Sequence, residues 1–126
     1  MNRSNPQARL KPAAPAGSAG SLPSVLAGQV SDAEWQARVD LAACYRLVAH
    51  FGMTDLIYTH ITLRVPDQPD QFLINPFGTL FDEVCASSLV RIDFDGQVLA
   101  PAGANINPAG FVVHSAIHRV RDDAHC

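Results

Sequence analysis

A chain of 126 residues, 48% hydrophobic and 17% charged, has the size and composition of one globular domain. Nine Lys and Arg against twelve Asp and Glu give a formal net charge of −3, which argues against nucleic acid or anionic lipid as a partner, and no run approaches the roughly 18 apolar residues of a membrane span. Three widely spaced cysteines, Cys44, Cys85 and Cys126, offer neither a disulfide framework nor CxxC spacing, so a reducing, cytoplasmic compartment is expected.

Residues 1–30 contain six Ala, four Pro, four Ser and three Gly, no acid, and only Arg3, Arg9 and Lys11 as charged groups. That composition predicts a disordered tail rather than a targeting peptide, because neither an amphipathic pattern nor a continuous apolar stretch is present. Residues 31–126 keep six basic and twelve acidic groups and are expected to form the folded, distinctly acidic part.

Ser31, Asp32, Ala33 and Glu34 have the spacing of a capping box, with Val30 and Trp35 at the positions of a hydrophobic staple. Val39, Leu41, Ala42, Ala43, Tyr45, Leu47, Val48 and Phe51 then predict a largely buried helix, with Cys44 inside it, ending at Gly52 as a left-handed cap. Ile61, Leu63 and Val65 alternate with Thr62 and Arg64 as in a strand with one buried face. A turn over 66–70 leads to a strand at Phe72, Leu73 and Ile74, which the turn Asn75, Pro76, Phe77, Gly78 ends. Val90, Ile92 and Phe94 predict a further strand, joined by a two-residue turn at Asp95 and Gly96 to one beginning at Gln97. Asn107 and Pro108 open a second helix, in which Val113, Ile117 and Val120 form one stripe and His114, His118 and Arg121 another.

Several of these residues carry chemistry. His114 and His118 stand four apart on one helical face and are weak candidates for a shared metal, since HExxH is absent and no third ligand is near in sequence. The segment 58–62, with Thr59, His60 and Thr62, lies where a loop enters a strand, a position from which backbone N–H groups and small hydroxyls line small-molecule sites. Gly78 allows close backbone approach to a ligand. The acidic pairs Asp82, Glu83 and Asp122, Asp123 read as solvated ends. No Gly-rich phosphate loop is present.

The segments LIYTHITLR over 56–64, FLINPFG over 72–78, ASSLV over 86–90, NPAGF over 107–111 and HSAIH over 114–118, in that order and spacing, closely resemble the class II aldolase/adducin family, particularly its adducin-like branch. The resemblance covers about residues 33–126. It implies an α/β fold, an α/β/α sandwich with a mixed, largely antiparallel sheet, here truncated at the C-terminus. In enzymatic members of the family, zinc or another divalent metal held by three histidines polarises a substrate carbonyl, which suits a reaction in which charge builds on oxygen. Two of those histidines belong to an H-x-H pair beyond the segment that matches 122–126, so the resemblance implies an N-terminal portion of the domain with no metal held by this chain.

Three departures from the aldolases accompany it. Gly110 occupies the position of the catalytic Glu, with Pro108 and Ala109 where small phosphate-binding residues stand, His60 replaces an Asn of the phosphate site, and Phe77 replaces a Thr beside Gly78. Thr62 and Gly78 match. The expected substrate-pocket residues are therefore Thr59, His60, Thr62, Gly78 and Asn107. The resemblance implies an adducin-like domain, incomplete and not catalytic by itself, whose complete relatives form homo-oligomers. The alternatives are a metal-dependent aldolase, lyase or epimerase acting on a small carbonyl or sugar compound when complete, and a protein-binding module of the actin and spectrin type found in eukaryotic adducins. Missing sheet strands and helix cover would leave a strand edge and apolar helix faces exposed.

Overall fold

Ser31 caps the first helix as its spacing predicts: its Oγ accepts the Glu34 N–H at 3.1 Å, and α1 runs over Asp32–His50. In this computed structural model the described residues are Leu26 and 28–126. The tail expected over 1–30 falls mostly outside them; Leu26 itself is buried. The helix ends in a Schellman motif, in which Gly52 at φ +68° and Met53 donate to Ala49 O and Val48 O, both at 3.0 Å.

Two features of α1 differ from the sequence reading. The Glu34 carboxylate does not turn back to the cap; it is buried, with Oε1 accepting from Arg38 Nε at 2.9 Å and Oε2 from Arg91 Nη1 at 2.7 Å. A cation supplied by the sheet outcompetes the local backbone N–H for that charge. The helix is also buried on one face rather than largely buried, since Ala37, Leu41, Ala42 and Tyr45 turn inward while Leu47 and Phe51 are 56% and 68% exposed and Cys44 is half-buried.

Four strands follow: β1 at Leu63–Arg64, β2 at Gln71–Ile74, β3 at Val90–Asp93 and β4 at Val98–Ala100. They form a meander in the order β1-β2-β3-β4, and every pairing among the described strands is antiparallel. The β1–β2 turn places Pro66 before Asp67 at φ +61°, and Gln68 N–H donates to Val65 O, the pattern of a type II turn. Between β3 and β4 the turn holds three residues, not two. Asp93 N–H donates to Gln97 O, and Asp93 Oδ1 accepts from the N–H groups of Asp95 and Gln97, which draws Phe94 out of the strand and leaves Gly96 at φ +91°.

The pleat divides the sheet into two faces. Leu63, Val65 and Leu73 pack with Ala37, Leu41 and Tyr45 of α1 and with Phe81, Val84 and Leu89. Phe72, Ile74, Val90 and Ile92 point the opposite way, toward Phe94, Ile106 and Phe111. The second helix, α2 at Pro108–Val120, covers that face, with Asn107 Oδ1 accepting the Ala109 N–H at 3.0 Å as N-cap and Phe111 stacked on Phe72. The result is an α/β/α sandwich. Its second helix is oriented against its hydrophobicity: Gly110, Ser115 and His118 are buried, whereas Val112, Val113, Ile117 and Val120 are 62%, 56%, 45% and 78% exposed. No helix among the described residues is long and apolar enough to cross a membrane.

Candidate functional site: a histidine cluster between β1 and α2

Gly110, His114 and His118 follow one another at intervals of four and so share a line along α2. That line faces the segment 59–64. Thr62, buried, lies at the centre, its Oγ1 at 2.9 Å from both His114 Nδ1 and His118 Nε2. His118 Nδ1 is 3.1 Å from Ala124 O, and the His118 ring rests against Phe72 and Phe94. His60 meets His114 edge to face, with ring centroids 6.3 Å apart. A Cβ built on Gly110 would lie 2.9 Å from His60 Nδ1, so position 110 has no room for a side chain while His60 holds its place.

Burial lowers the pKa values of His60, His114 and His118; at His114 the neighbouring His60 and His118 add to it, and at His118 the bond to Ala124 O opposes it. Burial therefore favours the neutral imidazoles in this cluster. Thr59 Oγ1 and His60 Nε2 are buried without a hydrogen-bond partner among the described residues.

Two residues that sequence reasoning did not assign to the site hold it together. Tyr45 of α1, fully buried, accepts the Ile61 N–H at 2.9 Å and contacts Asn75 Oδ1 at 2.9 Å, which joins the strand after His60 to the turn that contains Gly78. Burial drives its phenol pKa upward. Arg64 donates to His118 O, to Arg121 O and Ala124 O at 3.1 Å, and to Pro69 O at 3.0 Å. Its charge stands at the C-terminus of α2, where the helix dipole favours a cation. An aromatic residue in an apolar helix and an arginine alternating along a strand carry no local signal of these roles.

The expected pocket residues are thus partly assembled. His60 and Thr62 gather opposite Gly110, His114 and His118, and Thr59 precedes them in the chain, whereas Asn107 serves as the N-cap of α2. Gly78, at φ +86°, sits in a turn tied to the segment before α2 by Phe77 N–H donating to Asn105 O at 2.8 Å. Among the described residues no set of three or more His, Cys, Asp or Glu is arranged to hold a metal, and the facing nitrogens of His114 and His118 are taken by Thr62. A groove of about 620 Å³ between α1 and β1, lined in part by Ala37, Asp40, Val65 and His125, shares none of the candidate residues.

Comparison with known proteins bears on this arrangement. An aldolase II superfamily protein from Pseudomonas syringae is 52% identical in sequence and superposes with a TM-score of 0.76 over 80% of this chain and 41% of its own. L-fuculose 1-phosphate aldolase from Glaciozyma antarctica is 32% identical, with a TM-score of 0.67 over 71% of this chain and 37% of its own. Rat alpha-adducin is 50% identical over 91 residues, 71% of this chain and 12% of that protein. The chain spans about two fifths of the length of the bacterial class 2 aldolase-type proteins it matches. The family described as class II aldolase and adducin N-terminal domain matches residues 39–126, and with the shared sandwich it places this chain in the class II aldolase/adducin family.

Proposed function

We propose that the chain is the N-terminal part of an adducin-like domain, that it does not cleave sugar phosphates, and that its role is binding. The observation that carries this reading is the contact between His60 and Gly110. The aldolase pattern pairs an Asn and a Glu at these two positions, and here the imidazole of His60 fills the space that the first atom of a glutamate side chain would need. The two departures are thus one complementary exchange. It removes the acid that moves a proton and puts a neutral ring where a phosphate was held.

The test is an aldol-cleavage assay with L-fuculose 1-phosphate and added zinc, on the chain alone and joined to whatever sequence follows it in its gene. No aldehyde release above the protein-free rate is expected. Turnover in either form overturns the proposal in favour of a metal-dependent lyase.

A further inference from the structure

The hydrogen-bond chain through Thr62 has a direction. Ala124 O can only accept, so His118 donates to it from Nδ1, and neutral His118 then presents a bare Nε2 to Thr62. The Thr62 hydroxyl has one proton, which goes to His118 Nε2, and its oxygen must accept from the remaining neighbour, His114 Nδ1–H. Reversing the order would set a bare nitrogen against a carbonyl oxygen.

We infer that Ala124 O, His118 and Thr62 lock His114 in its Nδ1–H tautomer, so that its Nε2 is a lone-pair acceptor for a neutral hydroxyl-bearing ligand bound beside His60. The two rings meet edge to face without bonding to each other, and His60 Nε2 and the buried Oγ1 of the preceding Thr59 have no hydrogen-bond partner among the described residues, which such a ligand supplies. Burial keeps both rings uncharged, which disfavours an anion. Thr62 and His118 are positioning residues here; His114 is the group that touches ligand. The tautomer stands apart from the binding proposal, whereas the ligand class rests on it.

The test uses the full chain with 15N-labelled histidine at pH 7.5. His114 and His118 are both expected to show a protonated Nδ1 and a bare Nε2; an Nε2–H signal from His114 overturns the lock. Thr62→Val is expected to return His114 to a tautomer mixture, while Thr62→Ser, which keeps the hydroxyl, preserves it. An unchanged His114 spectrum in a folded Thr62→Val protein overturns the role of Thr62, and the wild-type and Thr62→Ser spectra decide the matter if that variant does not fold. Glycerol as a hydroxyl probe is expected to shift the His114 Nε2 resonance and inorganic phosphate to leave it in place. A shift with phosphate alone, or with neither, overturns the ligand class.

Discussion

The two helices treat the sheet between them in opposite ways. Helix α1 brings Ala37, Leu41, Ala42 and Tyr45 and one fully enclosed ion pair to its face, with Arg38 also donating to Leu89 O at 2.7 Å. Helix α2 brings glycine and two histidines to the other face and sends its valines outward. A charge held on both sides by partners fixes α1 in rotation. The inward face of α2 is set by hydrogen bonds through Thr62 and by stacking on Phe72, which outweigh the pull of four aliphatic side chains toward the interior. An apolar stripe left in water by such a competition is a surface suited to a further layer.

That contrast can be broken from either side. The largest effect is expected on α1: Glu34→Ala leaves two arginines facing an empty site and costs about 3–5 kcal/mol, read from the urea midpoint. On α2, Gly110→Ala forces its methyl group against His60 and costs about 1–3 kcal/mol. Adding His60→Ala relieves that clash, so a double-mutant cycle returns a coupling energy, whereas additive losses refute the contact. Acid separates the two faces. Because burial lowers the histidine pKa values, the unfolded chain binds more protons as the pH drops; stability is complete above about 6.5 and declines below it. A urea midpoint that holds from pH 7.5 to 5.5 contradicts this. The smallest effect belongs to the outward stripe, where Val113→Lys with Val120→Lys changes stability by about 0.5 kcal/mol or less but reduces self-association in sedimentation.

Much of this architecture was legible from local chemistry. Ser31 and Asn107 announce both helix starts, Gly52 announces the end of α1, and the alternation of Val90 with Ile92 marks β3 because one face of that strand is buried. Where a residue's partner lies far along the chain, pattern gives no guide. Glu34 is 57 residues from Arg91, and Thr62 is 52 from His114, so neither the diversion of the capping glutamate nor the inward turn of the histidines has a signature within one helix. Amphipathicity states that α2 has two faces without stating which one the sheet takes. Phe94 continues the alternation of β3 in sequence, yet Asp93 folds the backbone back before it. In sequence the segment 58–62 and the pair His114 and His118 stand as separate candidates, and only the packing of β1 against α2 unites them.

Arg64 gathers backbone oxygens from residues 69, 118, 121 and 124 with its side chain, and its own N–H donates to His125 O. A single side chain thereby converts a two-residue strand, a turn and a helix end into one joint. Opening any of them exposes the others, so the amides of Arg64, Arg121 and Ala124 belong to one cooperative unit of hydrogen exchange, and the His118 end of the histidine chain is as rigid as that joint.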